Sequence, residues 1–172
     1  MLDVIISTFS MTTQIEPDSE KRKFTDVSSI TDYLYLSAMP QGEHAAEIEA
    51  MGVRLILSMH WQRPSRSLGQ PPVRLLWLPT FDTPITPIPI STLRRGVEAA
   101  LPVIQGSERV LVHCRYGVHR SVAMACCVLI SMGYSSNEAM ALVKEKRAVA
   151  DPDIWYIRSR IVKFGDLWKS SS

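Results

Sequence analysis

Residues 121–132 are nearly all apolar, and a helix written that way has no polar face to turn toward solvent. Such a helix has to be the central one. Directly before it stand a short apolar strand, Val110-Leu111-Val112-His113, and the turn Cys114-Arg115-Tyr116-Gly117-Val118-His119-Arg120-Ser121. The chain must therefore fold around a strand that feeds a tight loop into a buried helix. Its 172 residues, 46% hydrophobic and 21% charged, suffice for one sizeable core. The longest apolar run, residues 122–130, is far short of the ~20 residues that cross a bilayer, so no membrane span is expected.

The rest of the chain supplies partners for that unit. Residues 32–36 read as an edge strand, 43–51 as a helix closed by Gly52, and 53–57 as a buried strand. Seven of the eleven prolines fall between Pro64 and Pro89, breaking regular structure on both sides of a strand at 73–78. Ser91 is placed to cap a helix reaching about Ile104, kinked near its end by Pro102. Ser135 followed by Glu138 is a capping-box pattern opening a helix to about Arg147, and an amphipathic segment spans 152–168. Strands interleaved with helices predict a single α/β domain: a central, mostly parallel twisted sheet with helices on both faces. Residues 1–27 read as an N-terminal tail, 28–168 as the domain and 169–172 as a C-terminal tail.

Charge excludes more than it suggests. Nineteen Lys and Arg against seventeen Asp and Glu leave a net +2, which gives no sign of a nucleic-acid coat or a membrane-surface protein. No acidic residue lies between Glu49 and Asp82, where Arg54, Arg63, Arg66 and Arg74 stand: a basic surface beside an acidic substrate, or ordinary solvated arginines. Three cysteines, Cys126 and Cys127 adjacent, do not make a secreted disulfide framework, so a reducing, cytoplasmic setting is expected. Residues 1–10 are apolar but short, carry Asp3 and lack a basic leader, a poor signal peptide; Met11 is an alternative start.

Cys114 alone among the cysteines sits on a strand-to-helix turn. Successive N–H groups in such a loop, opening into helix amides that have no internal partner, form a cradle for an anion such as phosphate. Gly117 lets the backbone turn inward, and Arg120, six residues after the cysteine, can fold over the cradle and grip two oxygens through its planar fork. The same field lowers a thiol pKa from ~8.5 toward about 3.5 to 7.5, which makes Cys114 a candidate thiolate nucleophile. A thiolate attacking phosphorus needs its leaving oxygen protonated. Asp82 is the candidate acid, because it begins a loop after a strand, beside Phe81 and prolines that would limit its solvation and raise its pKa. Asp151 and Asp153 flank Pro152 and read as a turn and helix start, and Asp26 and Asp32 precede the first strand.

The pattern Val-Leu-Val-His-Cys-x5-Arg-Ser at 110–121, followed by an apolar helix, resembles the signature of the cysteine-dependent dual-specificity protein phosphatases of the protein-tyrosine phosphatase superfamily. Residues 30–37 resemble that family's opening strand, Asp82 stands where its acid loop does, and 138–152 resemble its closing helices. The resemblance implies a two-step reaction without cofactor or metal. Cys114 becomes a phosphocysteine while Asp82 protonates the leaving group, and Asp82 then activates water. The loop 115–119 (Arg115, Tyr116, Gly117, Val118, His119) together with Arg120 would hold the phosphate, Ser121 would donate to the sulfur, and His113 would support the loop. The chain departs from the family at Tyr116, where a small residue is common, and at His119, where a small or polar one is. Arg115 and His119 would add positive charge near the pocket, which suits phosphotyrosine and equally an inositol phosphate or phosphoinositide. The implied partner is a phosphorylated protein or another phosphomonoester, or, as a third reading, a phosphosite shielded by a non-catalytic module.

Overall fold

The computed structural model describes residues 23–170. The question of Met1 or Met11 as start, and residues 1–22 and 171–172 of the two expected tails, lie outside the described residues. Five strands, β1 (Val27–Ser29), β2 (Leu34–Ser37), β3 (Val53–Ser58), β4 (Arg74–Trp77) and β5 (Arg109–His113), form one sheet in the order β1-β2-β5-β3-β4. β5 pairs in parallel with β2 and β3, β3 in parallel with β4, and only β1 runs antiparallel. The expectation of a mostly parallel sheet holds. The edge does not fall where the sequence put it: β2 is paired on both sides and β1 takes the edge, its Val-Ser-Ser being too short and polar to signal a strand.

Parallel strands need crossovers, and helices supply them. One face carries α1 (Ala45–Ala50), which with Val53, Ile56, Leu68 and Leu111 makes a small core. The other carries α2 (Ile90–Gln105), α3 (Arg120–Ser131), α4 (Ser136–Lys146) and α5 (Trp155–Lys169) around the main core. α3 is buried from Arg120 through Ile130 and packs against α2, α4 and α5, the position its composition demands. Burying each of its large aliphatic side chains contributes about 1.5–3 kcal/mol, so this helix cannot shift without cost to the whole fold. α5 continues through Lys169, the first residue of the expected C-terminal tail. No helix among the described residues is long and apolar enough to cross a membrane.

Two expected helix starts came out differently. Ser135 and Glu138 form the full capping box, with Glu138 N–H donating to Ser135 Oγ and Ser135 N–H to Glu138 Oε2. α2, in contrast, begins one residue before Ser91, with Pro89 at the N-cap and no side-chain cap: Pro89, with φ −62°, supplies a carbonyl that accepts from Thr92 and Leu93 N–H. The basic stretch also divides. Arg54 lies at the start of β3, where it pairs with Glu108, and Arg74 opens β4, so both sit at the sheet end remote from the loop after β5.

Candidate active site

The carboxyl ends of β3, β4 and β5 lie side by side, and the site is assembled there. Alternation along each strand turns Ser37, Ser58 and His113 to the face shared with α1, and the register places His113 between the two serines. All three are buried. His113 Nδ1 lies 3.4 Å from the Cys114 carbonyl, and burial drives its pKa down to about 4, so the ring is neutral behind the loop.

Past His113 the chain turns through residues 114–119 into α3. The turn is closed from behind. Gly117 has φ +67°, and a Cβ there would lie 2.5 Å from Arg147 Nη2 and 2.7 Å from the Ser37 carbonyl oxygen. Arg147, buried just past α4, donates from Nε to the Gly117 carbonyl at 2.8 Å and from Nη2 to the Tyr116 carbonyl at 3.2 Å. It also reaches Ser28 Oγ in β1 and pairs with Asp26 at 2.8 Å. Met39 N–H donates to the Arg115 carbonyl and Asp151 N–H to the Val118 carbonyl. With these carbonyls engaged outward, the Gly117 N–H turns inward. His119 occupies the N-cap of α3 without any side-chain cap, so the helix presents uncapped amides to the same point.

At that point lies Cys114 Sγ. It is 3.1 Å from Ser121 Oγ and accepts from Gly117 N–H at 3.2 Å. Burial alone would push the thiol up; the Ser121 hydroxyl and amide, the Arg120 charge and the Gly117 N–H outweigh it and hold Cys114 below the ordinary thiol value. Cys126 and Cys127, inside α3, feel burial and are pushed upward. All three are free thiols.

Arg120 is 4% exposed and enters the site from the first turn of α3. Its Nη1 donates to the Thr80 carbonyl at 2.9 Å and to Met59 at 3.4 Å, which fixes the guanidinium plane, and its Nε lies 3.6 Å from Asp82 Oδ2. Asp82 follows β4. Its side chain is 26% exposed, so solvation is limited as expected, but by the polar groups around the carboxylate and not by Phe81, which is 57% exposed, or by the exposed Pro79 and Pro84. Tyr156 Oη donates to its Oδ1 at 2.9 Å, and His119 Nδ1 is 3.1 Å from its Oδ2. Burial, the bond to Asp82 and that carboxylate's charge raise the Tyr156 pKa to about 12, so its hydroxyl keeps its proton.

Asp82, Cys114, Tyr116, Val118, His119, Arg120 and Tyr156 line one cleft of about 420 Å³. A larger groove of about 560 Å³, bordered by Phe24, Asp26, Met39, Glu43 and His44, shares none of these residues and contains no cysteine. Arg115, expected to hold the phosphate, does not itself line the cleft. Its Nε donates to Tyr116 Oη at 2.9 Å and its guanidinium lies over the exposed Tyr116 ring. Tyr156 and Arg147 were not anticipated. Neither follows from spacing to Cys114; the one local signal is that Tyr156 lies in the first turn of a helix just after Asp151-Pro152-Asp153, where a side chain leans toward the helix N-terminus.

A cysteine sulfur held below its ordinary pKa, a guanidinium, a loop amide turned toward the sulfur and a carboxyl group around one cleft can bind a tetrahedral oxyanion and attack it. The comparisons with known proteins give the family and the fold. Dual specificity protein phosphatase TpbA of Pseudomonas aeruginosa is 28% identical over 108 residues, covering 62% of this chain and 48% of the relative. Tyrosine-protein phosphatase yvh1 of Schizosaccharomyces pombe is 26% identical over 149 residues, 86% and 43% of the two chains. The chain thus spans about half the length of these curated relatives. Among solved structures, PTPMT1 in complex with PI(5)P superposes with TM-score 0.77 at 21% identity, covering 85% of this chain and 98% of that one. Human DUSP28 gives 0.75 at 24%, covering 84% and 99%. The sequence model described as "Dual specificity phosphatase, catalytic domain" matches residues 34–163, from β2 into α5 and through every residue of the cleft, and the chain belongs to that family.

Proposed function

We propose that the protein hydrolyses phosphate monoesters, phosphotyrosine and also phosphoserine or phosphothreonine in proteins, through a phosphocysteine intermediate. One observation carries the reading: Cys114 Sγ, held below its ordinary pKa between Ser121 Oγ and Gly117 N–H, opens into the same cleft as Arg120 and Asp82. In the first step Cys114 Sγ attacks phosphorus. The S–P bond forms as the P–O bond to the leaving group breaks, and Asp82 gives its proton to the departing oxygen. In the second step the Asp82 carboxylate takes a proton from water, whose oxygen attacks phosphorus and expels the thiolate. Ser121 O–H donates to the emerging charge on sulfur. Arg120 and the amides of residues 115–119 hold the equatorial oxygens in both steps.

The cation count at the cleft favours a singly phosphorylated group over a heavily anionic inositol phosphate. Arg115 is engaged with Tyr116 and does not itself line the cleft, and His119 faces Asp82, which leaves Arg120 as the guanidinium lining it. PTPMT1 binding PI(5)P keeps the lipid reading as the comparison to run. We assign residues 28–168 to the catalytic unit, with the flanking segments outside it, and place the protein in the reducing cytoplasm, where its three thiols stay free.

The test is turnover of a phosphotyrosine peptide, a phosphoserine peptide and a soluble phosphoinositide. Cys114→Ser is expected to abolish release of phosphate, and Asp82→Ala to slow it about 10²–10⁴-fold on phosphotyrosine, the span of general acid catalysis. Full activity in Cys114→Ser overturns the mechanism, and preference for the phosphoinositide overturns the substrate.

A further inference from the structure

The segment that carries the acid is anchored at its two ends, by buried Leu78 and Thr80 and by buried Ile88, and little between them. Residues 78–89 have no helix or strand, Phe81 and Ile85 are exposed, and past Thr80 the local bonds join Thr83 to Thr86 only. Backbone regularity and apolar burial therefore do not fix where the Asp82 carboxylate points. Side-chain bonds from other elements do.

Tyr156 comes from the first turn of α5, and that turn is itself tied to the cradle. Asp151 N–H donates to the Val118 carbonyl, while Asp151 Oδ1 accepts from Asp153 and Ile154 N–H at 3.2 Å each. The Tyr156 ring packs in the main core and meets the His119 ring edge-on at 5.9 Å. Its hydroxyl is thus held at a fixed place relative to Cys114. The two oxygens of Asp82 differ accordingly. Oδ1 faces α5 and accepts from Tyr156, whereas Oδ2 faces the cradle, 3.6 Å from Arg120 Nε and 3.1 Å from His119 Nδ1.

We infer that Tyr156 is a positioning residue that acts through Asp82, holding Oδ1 so that Oδ2 is the oxygen that passes the proton to and from the reacting groups. This rests on the phosphatase reading above. The bond serves both steps, because Oδ1 accepts from a phenol whether Oδ2 is protonated or ionised. Tyr156 takes no part in bond making. The charged and titratable groups facing it are Asp82 from the acid loop, His119 and Arg120 from the cradle and α3, and Asp151 from the turn before α5.

A positioning role through the acid has a signature that general destabilisation lacks: it matters in proportion to how much the leaving group needs a proton. The experiment compares wild type, Tyr156→Phe, Asp82→Ala and the double variant on phenyl phosphate and on 6,8-difluoro-4-methylumbelliferyl phosphate, whose leaving phenol is far more acidic. Losing a hydrogen bond to a charged group predicts that Tyr156→Phe lowers kcat/KM, which reports the step that expels the leaving group, about tenfold on phenyl phosphate. On the fluorinated substrate the change is expected to stay within about twofold, and in the Asp82→Ala background to vanish on both substrates. Vanadate affinity should match wild type, since the Phe ring keeps the core contacts and the oxyanion is held by Arg120 and the amides. An equal loss on both substrates, an undiminished loss without Asp82, or weakened vanadate binding overturns the inference while leaving the phosphatase reading intact. Wild type inert toward both substrates overturns the two together.

Discussion

At the scale of single residues, Gly117 is the position where the cradle tolerates least. Its positive φ costs an L-residue on the order of 1–3 kcal/mol, and a methyl group there would press on Arg147 and on the Ser37 backbone. Gly117→Ala is expected to lower the urea midpoint and to weaken vanadate binding at least tenfold; unchanged binding by titration would show the loop can reshape. Cys114 gives a second prediction. Its thiol pKa is lowered, so the thiolate is present above that value and lost as pH falls through it. Alkylation by iodoacetamide should therefore stay fast down to a lower pH than for an unperturbed thiol, with Cys126 and Cys127 unreactive until unfolding. The motif residues were legible in the sequence because cysteine, glycine, arginine and serine are spaced by the loop alone. Tyr156 was not, since 42 positions of chain separate it from Cys114 and only the packing of α5 against α3 brings them to one cleft.

Among elements, the segment just after α4 governs the cradle although it contributes nothing to the cleft lining. Arg147 is buried and satisfies two loop carbonyls, and each bond from a charged donor is worth about 1.5–3 kcal/mol. Arg147→Met is expected to cost about 3–6 kcal/mol in urea unfolding and to reduce activity on every substrate alike, which kinetics on two leaving groups would check. Asp26→Ala should cost far less, because that partner is exposed and its ion pair screened. The pattern of elements could be read from periodicity: α3 from its unbroken apolarity, α4 from its capping box. β1 escaped because three residues give no period, and the start of α2 was displaced because proline, not serine, supplies the turn.

For the molecule as a whole, the neutral His113 ties stability to pH. Its folded pKa of about 4 lies below the unfolded value of ~6.5, so between these limits the unfolded chain binds a proton the folded one refuses. Stability should fall as pH drops from about 6.5 toward 4, by up to about 3 kcal/mol at ~1.36 kcal/mol per unit. Urea titrations at pH 7 and pH 5 would measure it, and His113→Asn should flatten the slope. The fold class was accessible because buried strands and crossover helices leave strong signals. Which edge the sheet closes on, and which distant side chains brace the loop, depend on contacts that no local pattern encodes.

One guanidinium spans from the outermost strand to the turn that holds Cys114. An event at that far rim, such as trimming residues 23–28, would strip Arg147 of Asp26 and Ser28 together and slacken the turn. Catalysis would dim with the cleft itself untouched, and the rim would serve as a throttle.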